Sequence, residues 1–80
     1  MNEQLKIIND RVNGVVKIKE DCQYNAIEAE KVIVDEYVTA RLFGKVKDVE
    51  VKKGARVFLH GAISGHIKNE GELVIFGIAS

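Results

Sequence analysis

Eighty residues and 8.9 kDa allow one domain, and a chain of this size buries about 60% of its surface on folding, which excludes a two-domain enzyme or a large cofactor cavity. Twelve Lys plus Arg balance twelve Asp plus Glu, so the basic excess of a dedicated nucleic-acid binder is absent. Apolar residues make up 46%, enough to fold; no apolar run reaches the roughly eighteen residues of a membrane span, and no signal-peptide pattern opens the chain. The single Cys22 has no internal disulfide partner, and the expected compartment is a reducing cytoplasm.

Residues 1–12 are irregular, with Leu5, Ile7, Ile8 and Val12 as the apolar set, and are read as an amino-terminal strand or leader segment. Residues 13–80 are read as the folded domain. Val and Ile supply 20 of the 80 residues and there is no proline. Branched side chains lose little freedom on a pleated strand and more in a helix, so the class expected is all-β. The best helix candidate, 25–34, carries Ala26 and Ala29 but runs into Val32-Ile33-Val34, and a strand is expected there too.

Parity then exposes a repeat. Even positions from Val32 read Val32, Val34, Glu36, Val38, Ala40, Leu42, Gly44, Val46. Odd positions from Val49 read Val49, Val51, Lys53, Ala55, Val57, Leu59, Gly61, Ile63. A third set follows as Gly65, Ile67, Asn69, Gly71, Leu73, Ile75, Gly77, Ala79, and a weaker copy lies upstream as Val16, Ile18, Glu20, Cys22, Tyr24, Ala26. The offsets are 17 and then 16 residues. Period-two alternation puts each set on one strand face, and the recurrence returns successive strands to the same place. The lone polar member of each set (Glu20, Glu36, Lys53, Asn69) cannot sit unpaired in a dry core, so it marks a corner. Gly44, Gly61 and Gly77 mark a second corner. The architecture expected is a single-stranded β-helix, or β-solenoid, of about four 16–17-residue coils. An antiparallel meander or small barrel is the competing architecture, disfavoured because strong hairpin dipeptides are few.

The motifs VIVDEYVTARLFGKV, VEVKKGARVFLHGAI and GHIKNEGELVIFG give residues 32–77 a pattern that resembles the bactofilins, polymer-forming cytoskeletal proteins of bacteria. That resemblance implies a right-handed, roughly triangular β-helix that self-associates through its coil ends. The family's core usually has more coils than the four counted here.

If coils stack, outward residues form columns: Phe43, His60, Phe76; Arg41, Phe58, Val74; Lys45, Ala62, Ile78; Ile33, Glu50, His66; Asp35, Lys52, Lys68; and Thr39, Arg56, Glu72. Apolar groups concentrate beside the glycine corner. Phe43, Phe58, Phe76, Val74 and Ile78 are therefore the candidate protein-interface residues, since an exposed aromatic strip marks a contact surface. Leu5, Ile7 and Ile8 could instead fold back as its cover. The last coil, apolar almost to its end, offers unpaired strand edges as a second route to assembly.

No constellation for catalysis, cofactor or metal emerges. His60 and His66 fall in different columns with no third His or Cys near them in sequence. Ser64 lacks a nucleophile elbow, Cys22 falls on the inward face, and no Gly here opens a phosphate loop followed by Lys. Gly65, Gly71 and Gly77 lie six apart, as in hexapeptide acyltransferases, but the period lasts only two steps. Lys45, Lys47, Lys52 and Lys53 are interspersed with Asp48 and Glu50, as on a solvated face. The sequence thus points to a non-catalytic protein whose partner is itself, as homo-oligomer or filament, with no nucleic acid and no membrane span. The alternative is a small β-rich binding module that docks a heterologous protein through the same strip.

Overall fold

The computed structural model describes residues 6–79, with side chains through residue 77. Every regular element among them is a strand: β1 (Lys6–Ile8), β2 (Val12–Ile18), β3 (Cys22–Val34), β4 (Thr39–Val51), β5 (Arg56–Ile63), β6 (Ile67–Asn69), β7 (Glu72–Ile75) and β8 (Ile78–Ala79). All pairings are parallel and join each segment to its equivalent one coil later. The architecture is a β-solenoid of about four coils: β1 with β2, then β3, then β4, then β5 with β6, while β7 and β8 extend the stack. No hairpin is present among the described residues, which removes the meander. The helix candidate at 25–34 is strand, because Val32, Ile33 and Val34 continue the ladder with Val49, Glu50 and Val51.

Inward columns form the core. Cys22, Ala40 and Val57 stack in one, and Leu42 lies over Leu59 in the next. Ala29, Val46 and Ile63 form a third, and Val34 with Val51 a fourth, all buried. Each fully buried Val, Leu or Ile contributes about 1.5–3 kcal/mol. No polar or charged residue is buried among the described residues, so this core carries no desolvation penalty for an unpaired group.

The predicted glycine corner is not a turn: Gly44 lies inside β4 and Gly61 inside β5, in one column with Val12 and Ile27. A Cβ on Gly61 would collide with the carbonyl oxygen of Gly44, and one on Gly77 with that of Gly61. Backbone of the coil before occupies the place of a side chain, and only hydrogen fits. At the polar corners Glu20, Glu36 and Lys53 lie exposed in bends and turns, as their recurrence implied. Asp21 Oδ1 accepts the Thr39 N–H at 2.9 Å, and Asp48 Oδ1 accepts the His66 N–H at 2.9 Å, tying one coil to the next.

The register departs from simple parity in three places. Cys22 pairs with Ala40 and Tyr24 with Leu42, where parity aligned them with Val38 and Ala40, and a bulge between Tyr24 and Ile27 then brings Ile27 opposite Gly44. In the last full coil Ile67 pairs with Val49 and Asn69 with Val51, whereas parity aligned Gly65 with Val49 and Asn69 with Lys53. Residues 64–66 add one residue to their corner, and the corner at 70–71 is shortened. There Asn69 Oδ1 accepts the Gly71 N–H at 2.9 Å, closing a tight turn. Asn69 is therefore a strand end, not a corner residue.

Candidate interaction surface

The three outward columns beside the glycine column stand where parity put them. Arg41, Phe58 and Val74 are in register, as are Lys45, Ala62 and Ile78 along the backbone. The Ile78 side chain lies outside the described ones. Phe43 stacks on His60 with ring centroids 4.4 Å apart and planes 7° from parallel. His60 stacks on Phe76 at 4.5 Å and 10°. This follows from the fold: identical slots in successive coils lie about 4.8 Å apart, and flat rings fill that spacing by stacking. The Arg41 guanidinium carbon stands 6.0 Å from the Phe58 ring centroid, at the limit of a cation–π contact. Phe43, Phe58 and Val74 are half-buried, and Phe76 is 53% exposed.

His60 is thus a rung between two phenylalanines, which sequence reasoning placed in the right column without assigning it a role. Stacking presents ring edges to solvent and leaves ring faces for one another, save where the ladder ends. Toward the amino terminus the ladder stops at the bulge. Asn25 occupies that side and donates from Nδ2 to Asn9 Oδ1 at 2.6 Å, while its own Oδ1 accepts from Gln23 Nε2 at 2.8 Å. An amide ladder therefore replaces the aromatic one in the first two coils. Sequence inspection missed it because the bulge breaks the alignment of 25 with 43.

Among the described residues, the amino-terminal Lys6–Ile8 does not cover the strip. Lys6–Ile8 pairs with Cys22–Tyr24 as a rung of the stack, with Ile7 opposite Gln23 and 57% exposed. Ile8 packs at the core, and Leu5 lies outside the described residues. Two outward columns are corrected: Ile33 and Glu50 continue into Lys68, not His66, and Lys68 leaves the Asp35–Lys52 column. His66 sits at a corner, its Nδ1 3.7 Å from Asp48 Oδ1.

Chemistry elsewhere is sparse. Burial, with the carboxylates of Glu20 and Asp21 adding to it, pushes the Cys22 thiol up to about 11, which suppresses the nucleophilic thiolate. Burial also raises Tyr24. The Asp48 carboxyl is held below its usual range, chiefly by the His66 backbone N–H and further by the His66 imidazole. Among the described residues no three His, Cys, Asp or Glu side chains come together to hold a metal ion, and no helix is long and apolar enough to cross a membrane.

Fold and surface together define a small β-solenoid protein with an outward aromatic ladder, half-buried at Phe43 and His60 and exposed at Phe76. No family model, no curated protein and no solved structure matches the chain.

Proposed function

We propose that the chain is a non-catalytic structural protein of bactofilin type that assembles with copies of itself in the bacterial cytoplasm. The observation that carries this reading is the ladder Phe43–His60–Phe76 with Phe58 and Val74 beside it. It is an outward strip of aromatic and aliphatic side chains on stacked coils, with Ile7 and Ile8 paired elsewhere. Burying such a strip against a second copy supplies the apolar area that lateral association needs. Parallel strand edges at the coil ends supply backbone pairing along the axis. The motif-level resemblance over residues 32–77 supports the same reading.

Phe58→Asp tests it. Phe58 is half-buried in an outward column, so the fold persists and far-UV circular dichroism stays that of a β-protein. The expected outcome is dispersal of the assembly to monomer. An unchanged particle size would remove the strip as a self-interface and leave it to a different protein partner.

A further inference from the structure

Two features outside the strip's centre remain unexplained by the fold. The first is Tyr37, at the turn between β3 and β4. It is 72% exposed and has φ 60, a left-handed conformation that side chains rarely adopt. The equivalent place one coil later is taken by Gly54, at φ 75, and the Tyr37 ring lies where a Cβ on Gly54 would be. Glycine serves the same turn one coil later, and the Tyr37 ring rests on Gly54 while most of its surface stays open to solvent. Glu36 beside it is exposed and pairs with no cation among the described residues. Glu20 and Asp21 on the coil before add negative charge, and Lys52 and Lys53 on the coil after oppose it.

The second is an open recess of about 360 Å³ at the bulge. Phe43 forms one wall, Ala26 and Gly44 line it, and Arg11 and Lys45 stand at its rim. Arg11 is engaged with Glu28 at 3.5 Å, whereas Lys45 pairs with no carboxylate among the described residues. It is here that the aromatic ladder stops: Phe43 stacks on His60 on one side only, and Asn25 rather than a ring lines the recess on the other.

An exposed tyrosine beside a free carboxylate complements a recess walled by phenylalanine beside a free ammonium. The two lie at opposite ends of one face. The four strand steps from Thr39 to Phe43 alone span about 13 Å at the usual rise, so the Tyr37 side chain cannot reach the recess of its own chain. We propose that the occupant is a second copy, whose Tyr37 enters the recess with Glu36 against Lys45. The inference rests on the self-association proposed above and names one of its contacts. Because the two halves of this contact sit on different corners, it is heterologous: each copy gives one half and receives the other, so the contact propagates.

The test uses the full chain and its assembly midpoint concentration, read by light scattering. Tyr37→Gly removes the ring and suits the left-handed turn. Its midpoint is expected to rise at least tenfold with no fall in thermal midpoint. Glu36→Lys and Lys45→Glu are each expected to raise the midpoint as singles, and an equimolar mixture of the two is expected to co-assemble within threefold of wild type. Should Tyr37→Gly lose its β-sheet signal, the charge pair carries the test, since Glu36 and Lys45 are both exposed. If all three variants assemble like wild type while Phe58→Asp disperses, this contact is overturned and self-association stands. A wild-type chain that never assembles overturns both.

Discussion

The first two coils and the later ones build the same column from different materials. In the amino-terminal coils the inward slot holds Val12 and Ile27, and amides of Asn9 and Asn25 ladder on the outside. In the later coils the inward slot holds Gly44, Gly61 and Gly77, and Phe43, His60 and Phe76 ladder outside. Aliphatic residues fill the slot inside, and amides rather than rings stack outside it, although Ile7 and Val15 also face solvent in these coils. Glycines let one coil's backbone settle against the next, and apolar bulk moves outward. The lesson is that a solenoid slot constrains stacking distance, not polarity. Only the later half stacks aromatic rings on its outer side.

The largest way to break that contrast is a methyl group in the glycine column. Gly61→Ala drives a Cβ into the Gly44 carbonyl, a backbone group that cannot yield without opening the ladder. A loss of about 3 kcal/mol or more is expected in urea denaturation followed by circular dichroism. In the aliphatic half, Ile27→Val at the neighbouring slot is expected to cost about 1 kcal/mol, because only one methylene is removed. Equal losses at both sites would contradict the difference in packing.

The outward ladders should differ less. His60→Ala removes the middle ring and both stacked contacts, an expected loss of about 1–3 kcal/mol, whereas His60→Phe keeps the stack and should stay near wild type. Asn25→Ala, which removes hydrogen bonds between exposed amides, is expected to cost about 1 kcal/mol or less. The smallest effect belongs to pH. The Asp48 carboxyl sits below its ordinary range, so its stabilisation is fully present above the unfolded carboxylate pKa and is lost as pH falls through the folded one. Asp48→Asn keeps an acceptor for the His66 N–H but should flatten that acid limb of stability against pH, measured by thermal midpoints.

The later half was far more legible in the sequence than the earlier one, for a physical reason. Alternation survives wherever a strand runs straight, so Leu42 over Leu59 and the strip of Phe43, Phe58, Val74 and Phe76 could be placed by counting. Corners are set by turn geometry rather than by side-chain polarity. The bulge at 25–26 therefore hid Ile27 and the amide ladder, and the tight turn closed by Asn69 shifted β6 by two residues against its parity alignment. Stacking of His60 between two rings was implied by column order, but two residues of one column touch only when the coil spacing is that of paired strands. Tyr37 gave no signal, because a left-handed φ at a residue other than glycine cannot be read from its neighbours.

The central claim is that this solenoid assembles with itself, and the most direct measurement is light-scattering mass of the wild-type chain over a concentration series, with negative-stain imaging of the same fractions. The account predicts mass rising with concentration to a defined oligomer or to filaments. A monodisperse 8.9 kDa species at every concentration would contradict it.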